Sequence, residues 1–152
     1  MNRGALGREY PARATVVSAS AIRRVALAVG NDEAIHHDEA AARREGFRSI
    51  VAPIGAVMAA GPGGKRGADI HEAGPLHDLE IDFSKALFGG MEVEYHDVLC
   101  AGDELVTTGR ISDIYERETS TGTMVVAVFE TSYTTRDGEP VMTSRMTFLE
   151  RA

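Results

Sequence analysis

The sequence predicts an α+β domain in which an antiparallel β-sheet wraps around one central apolar helix. Three observations predict it. Residues 50–60 (I-V-A-P-I-G-A-V-M-A-A) are apolar all round and carry no charge. A helix without a polar face has to be covered on every side. The chain before them has helical periodicity, and the C-terminal half consists of β-rich runs separated by turn residues. A curved sheet is the cover that these strands can supply.

The elements follow in order. Ser18 is a plausible N-cap, and Ile22, Val25, Ala26 and Val29 recur at helical spacing, with Arg23 and Arg24 on the other face. Gly30 then stands where a C′ glycine ends a helix. A second short helix is expected over residues 38–45, stopped by Gly46. Its first turn holds Asp38 and Glu39 and its last Arg43 and Arg44, which suits the helix dipole. The buried helix follows over residues 50–60, with Pro53 in its first turn. Residues 61–67 (G-P-G-G-K-R-G) form a loop that lacks the spacing of a phosphate-binding P-loop. The loop continues to about Pro75, and Leu79, Ile81 and Phe83 suggest a short ordered piece.

Strands come next. Met91, Val93 and Tyr95 alternate with Glu92, Glu94 and His96. Ala101-Gly102-Asp103 is a turn. Residues 105–115 and 123–134 are long β-rich runs. Asp137-Gly138 makes a hairpin turn before a last strand over residues 141–149, because Asp-Gly tolerates positive φ. These three strands read as an antiparallel meander.

Bulk composition bounds the function. At 152 residues the chain is expected to be one domain, residues 1–152. Net charge of −7 argues against a nucleic-acid partner, because phosphate binding needs a basic field. No apolar run approaches the roughly 18 residues of a membrane helix. No signal peptide is visible at the N-terminus. The single Cys100 cannot form an internal disulfide, and a reducing, cytoplasmic location is expected. Cys100 itself is expected to be a buried, inert thiol.

The most informative stretch is V-G-N-D-E-A-I-H-H-D-E-A-A-A-R-R at residues 29–44. It sets His36 and His37 among carboxylates and an amide, between two helices. Together with G-R-E-Y-P at 7–11, I-V-A-P at 50–53, E-Y-H at 94–96, A-G-D-E-L at 101–105 and D-G-E-P-V at 137–141, it resembles the MaoC-like dehydratases. The resemblance is to their N-terminal FAS1-like dehydratase domain and covers nearly the whole chain. It implies a hot-dog fold, assembled as a homodimer or as a heterodimer with a related hot-dog subunit. It implies (R)-specific hydration of a trans-2-enoyl thioester on coenzyme A or acyl carrier protein, or the reverse dehydration. No cofactor and no metal are expected.

The family's hydratase signature runs Gly-Asp-x-Asn-Pro-Ile/Leu-His. Gly30 matches its glycine, Ile35 its aliphatic position and His36 its catalytic histidine. Asn31 occupies the Asp position, Glu33 the Asn and Ala34 the Pro. The chemistry needs a base near neutral pH, which histidine supplies, and a group that fixes its tautomer. Asn31 is expected to orient His36 without offering charge, and Asp32 is the alternative orienting group. The enolate oxygen needs an oxyanion hole, and the N–H groups of Ile54 and Gly55 are the candidates. Pro53, with no N–H, stands where many catalytic relatives have glycine, and Met58 stands near a serine of those relatives. Arg43, Arg44, Arg48, Lys65 and Arg66 are the candidates for the phosphates of the carrier.

A metal site built from His36, His37, Asp38 and a distant His71, His77 or His96 matches no strong spacing. Two other functions remain open at this stage. One is a non-catalytic acyl-binding subunit that supports a catalytic MaoC partner. The other is a hot-dog thioesterase, disfavoured because residues 52–60 contain no acid.

Overall fold

The computed structural model describes residues 1–56, 74–120 and 122–151. A 3₁₀ turn at Arg3–Ala5 leads into strand β1 (Glu9–Val16) and helix α1 (Ala19–Ala28). A second 3₁₀ turn at Ala34–His36 precedes helix α2 (Glu39–Arg44). After a one-turn helix at Pro75–Asp78 come β2 (Ala86–Tyr95), β3 (Glu104–Thr119), β4 (Gly122–Thr135) and β5 (Pro140–Arg151). The five strands form one antiparallel sheet in the order β1-β3-β4-β5-β2.

The expected meander is β3–β4–β5. Its second hairpin turns at Asp137-Gly138, where Gly138 has φ +89° and donates to the Thr135 carbonyl at 3.1 Å. Strand β4 lies at the centre and is the most buried, as a strand paired on both sides must be. Register shifts between Tyr10 and Arg13, between Ile111 and Asp113 and between Phe88 and Gly90 interrupt the ladders. Bulges of this kind bend a strand and increase its twist, which curves the sheet.

Strand β1 carries no alternation that would mark it in the sequence. It is an edge strand, mostly exposed, and Pro11 sits at its register shift, where a missing N–H costs no ladder bond. Two apolar clusters lie against the sheet. One joins Ala5, Leu79, Ile81, Ile111, Ala127 and Phe129, and the other joins Leu99, Leu105, Tyr133, Val141 and Met142. The first contains Leu79 and Ile81, the piece expected to be ordered after the loop.

Gly109 on β3 makes room for this packing. A Cβ there would meet Cζ of Phe129 at 2.5 Å, and Tyr10, its register partner on β1, meets the same ring edge to face at 5.6 Å.

Residues 50–52, expected to open the buried helix, are not helical. Val51 forms an antiparallel bridge with Cys100, the Ala52 N–H donates to the Leu99 carbonyl and the Ala101 N–H to the Ile50 carbonyl, both at 2.8 Å. Residues 50–52 are therefore extended, because backbone bonds to residues 99–101 outweigh the helical pattern of their side chains. Ile54, expected inside, is 88% exposed. The rest of the segment expected to be helical, residues 57–60, lies outside the described residues, as do Met58, Lys65, Arg66 and His71.

Candidate active site

The site is built from the C-terminus of α1 onward. Ser18 caps the start of α1 by accepting the Ala21 N–H. At its end, Gly30 (φ +70°) donates to the Leu27 carbonyl at 3.2 Å and Asn31 donates to the Ala26 carbonyl at 2.8 Å. That pair of bonds is a Schellman motif, and it explains the glycine. It also fixes the direction in which the chain leaves the helix. Asn31 then holds the loop. Its side-chain oxygen accepts the Glu33 N–H at 3.0 Å, and its carbonyl accepts from Nε2 of His37 at 2.8 Å. Arg23 of α1 donates to the His37 carbonyl at 2.9 Å.

His36 closes the 3₁₀ turn and is 6% exposed. Its Nδ1 lies 2.8 Å from the Val51 carbonyl oxygen. A carbonyl can only accept, so Nδ1 carries the proton and the neutral ring keeps its lone pair on Nε2. Val51 grips this segment with both backbone groups, because its own N–H donates to the Ile35 carbonyl at 3.0 Å. The bridge that overturns the helical expectation is thus what orients the histidine. The carboxylate facing Nε2 belongs to Glu33, whose Oε2 is 3.7 Å away. In a 3₁₀ turn residues i and i+3 eclipse, which brings Glu33 and His36 to one side.

The orienting groups expected from sequence do not touch the ring. Asn31 is engaged by Glu33 and His37, and Asp32 is exposed, with no hydrogen bond or ion pair to His36 among the described residues. The reason is local: the Asx-type turn at Asn31 directs its side chain along the loop. Of the oxyanion candidates, the Gly55 N–H donates to the Tyr95 hydroxyl at 3.0 Å, and Gly55 adopts φ +83°. Sequence reasoning did not single out Tyr95, Val51 or Glu33 for these contacts. Only Glu33 had a local signal, its spacing of three from the histidine.

The basic candidates divide. Arg43 pairs with Glu39 one helical turn away at 2.8 Å and is 64% exposed. Arg48 makes a two-pronged bond to Asp103, lies 2.6 Å from the Val98 carbonyl and 3.9 Å from Asp97. Asp103 also accepts the Cys100 N–H at 2.8 Å, so Arg48 clamps the turn before β3. Cys100 is fully buried, and burial pushes its thiol up, so it stays protonated. An open depression of about 400 Å³ lies beside the site, lined by Glu33, Ala34, Ile35, Ala41, Arg44, Glu45 and Phe47.

A family model described as FAS1-like, dehydratase domain region matches residues 4–144. The chain belongs to this family. A UPF0336 protein of Saccharopolyspora erythraea is 31% identical to this FAS1-like dehydratase domain over 153 residues, 99% of the chain and 92% of the relative. The ChsH1-ChsH2 complex of Mycobacterium tuberculosis has the same fold, with a TM-score of 0.74 and 22% identity across 95% of this chain and 84% of that one. The HadBC (3R-hydroxyacyl-ACP dehydratase) complex of the same organism gives 0.73 and 21%, across 97% and 99%. A MaoC-like dehydratase gives 0.74 and 23%, across 97% of this chain and 42% of that one. The fold is therefore the hot-dog fold of the MaoC-like dehydratases, as the resemblance implied. No helix among the described residues is long and apolar enough to cross a membrane.

Proposed function

We propose that this FAS1-like dehydratase domain is a hydro-lyase acting on acyl thioesters. It hydrates trans-2-enoyl groups carried on coenzyme A or acyl carrier protein with (R) specificity, or dehydrates the corresponding 3-hydroxyacyl thioesters. The observation that carries the proposal is His36: a buried imidazole, fixed in one tautomer by Val51, with its basic nitrogen turned toward a carboxylate.

In the hydration direction, Nε2 takes a proton from water as the water oxygen bonds to C3 of the substrate. The C2=C3 electron pair moves toward the thioester carbonyl and forms an enolate. Collapse of the enolate draws the proton from His36 to C2, so one water is added and the base is regenerated. Backbone N–H groups are the natural donors to the enolate oxygen. We assign that role to Ile54, and to Gly55 the role of shaping the turn while it is held by Tyr95.

For the carrier phosphates we propose Arg43 and Arg44. The exposed pair of Arg43 with Glu39 costs little to open, and Arg44 lines the depression beside the site. Lys65 and Arg66 retain the same proposed role. Two of the similar structures are complexes, ChsH1-ChsH2 and HadBC, and both support assembly with a second hot-dog subunit, identical or related. A reducing, cytoplasmic setting fits the lone unpaired thiol.

The test is a spectrophotometric assay of the purified chain with trans-2-enoyl-CoA of short and medium length, following loss of the enoyl absorbance. Turnover that disappears in H36N is expected. A folded protein that turns over none of these substrates would overturn the proposal.

A further inference from the structure

We propose that Glu33 supplies the carboxylate of this site, and that Glu33 and His36 together hold the nucleophilic water. The inference rests on the hydratase reading above and adds a catalytic residue to it. The resemblance gives the carboxylate role to position 31, which here is an asparagine, and the geometry points two residues further on.

Three contacts lead to it. Nδ1 of His36 is engaged by the Val51 carbonyl, so only Nε2 is left to meet a reacting water. The carboxylate facing Nε2 is that of Glu33, with Oε2 at 3.7 Å. Asn31 instead braces the backbone of Glu33 by accepting its N–H at 3.0 Å. Position 31 thus helps to place Glu33, while Glu33 faces the base.

The distance itself is informative. At 3.7 Å the two groups are too far apart for a direct hydrogen bond. Two acceptors each about 2.8 Å from one water oxygen lie roughly 3.5–4.5 Å apart, so a single water can donate one hydrogen to each. The neutral Nε2 and the ionised carboxylate are both acceptors. In the step proposed, the hydrogen pointing at Nε2 transfers as the oxygen attacks C3. The other stays on that oxygen as the new hydroxyl, bonded to Glu33 until product leaves. The carboxylate charge then lies beside the imidazolium as it forms and stabilises it, and a bound acyl chain that excludes solvent strengthens that attraction.

A structural role for Glu33 predicts something different. Its side chain is 71% exposed and makes no capping hydrogen bond to the turn. A carboxylate this exposed contributes little to stability through its pairing. Loss of the charge should therefore leave the fold alone and act on turnover.

The experiment compares E33Q, E33D and H36N with the wild type in the enoyl-CoA assay, with thermal denaturation alongside. E33Q is expected to lower kcat by roughly 10²-fold or more, the scale of a positioned acid–base group, with KM within about twofold. Its melting temperature is expected to stay within about 2 °C of wild type. E33D is expected to recover at least about tenfold over E33Q, because it restores the charge at a shorter reach. If E33Q keeps wild-type kcat while H36N is inactive, Glu33 is excluded and the hydratase reading stands. If E33Q and E33D are equally impaired and both lose stability, the role is structural and the inference falls. If the wild type turns over no enoyl thioester, both fall together.

Discussion

Nδ1 of His36 donates to the carbonyl oxygen of Val51 at 2.8 Å. This bond joins a histidine of the 3₁₀ turn to a segment that bridges to Cys100 in the connection before β3, so that bridge fixes the ring. It also separates two functions of the side chain, a structural donor at Nδ1 and a base at Nε2.

Substitutions at position 36 can separate those functions. The side-chain amide of asparagine can still donate to Val51 but supplies no base. H36N is expected to lose turnover entirely and to melt within about 3 °C of wild type. H36A removes the donor as well and leaves the Val51 carbonyl buried without it, at a cost of about 1–3 kcal/mol. The check is a denaturant titration of both variants beside the assay. Equal stability for the two would mean that the Val51 bond contributes nothing to the fold.

Asn31 is expected to act through the loop. N31D keeps an oxygen for the Glu33 N–H, so turnover should change by less than about threefold. N31A loses that acceptor and frees the segment that carries Glu33, so kcat should fall by about tenfold or more while KM holds. The split between kcat and KM in the two variants is the measurement. A large gain in N31D would instead return the carboxylate role to position 31.

How far the sequence reveals this site depends on the range of each contact. Ser18, Gly30 and the Asp137-Gly138 turn act within a few residues, and their signals are in the sequence. His36 stands out through its neighbours and the family resemblance. The partners that define its chemistry do not stand out in the same way. Val51 acts through backbone atoms, which carry no residue code, and its extended shape is imposed by a bridge to Cys100. The apolar pattern of residues 50–60 correctly signals burial for Ile50 and Val51, but it does not distinguish a buried extended segment from the first turn of a buried helix. Strand β1 is illegible for a related reason: an exposed edge strand that contains Pro11 has no alternating face to display.

Tyr95 and Gly55 offer a test of the turn that carries Ile54. Y95F removes the hydroxyl that accepts the Gly55 N–H at 3.0 Å. Tyr95 is 40% exposed, so water can replace part of the bond, and the loss of stability should sit near 0.5 kcal/mol, the low end for a hydrogen bond. Turnover should fall by more than stability suggests, roughly three- to tenfold, because the turn positions the proposed oxyanion donor. Kinetics of Y95F at saturating enoyl-CoA measure this directly. Unchanged kcat would detach the turn from the chemistry.

Gly109 tests the packing of the apolar cluster around Phe129. A methyl group there would meet Cζ of Phe129 at 2.5 Å and Cε2 at 3.2 Å. G109A is expected to cost about 1–3 kcal/mol, as overpacking in a filled core does. In a F129L background the same substitution should cost less, because the ring that it strikes is gone. A double-mutant cycle by chemical denaturation reads the difference. Additive costs would show that Gly109 is needed for its backbone alone.

Glu130 sets an acid limit on the sheet. It accepts from Arg110 on β3 at 3.0 and 2.8 Å and from Arg145 on β5 at 2.8 Å, and both arginines are its register partners. Partial burial works against the charge, but the two guanidiniums win and hold the carboxyl below its usual range. The folded state therefore binds this proton less readily than the unfolded chain. The stabilisation is fully present above the unfolded value, near 4.3 for glutamate, and is lost as pH falls through that value and the lower folded one. E130Q should be less stable than wild type at pH 7 by about 1–2 kcal/mol, a modest figure because Arg110 is more than half exposed and screened by solvent. The gap should narrow as pH drops below about 4, where wild type also carries a neutral group. Denaturant titrations of both proteins between pH 3 and 7 would check it, and a gap independent of pH would mean that shape rather than charge holds the three strands together at this position.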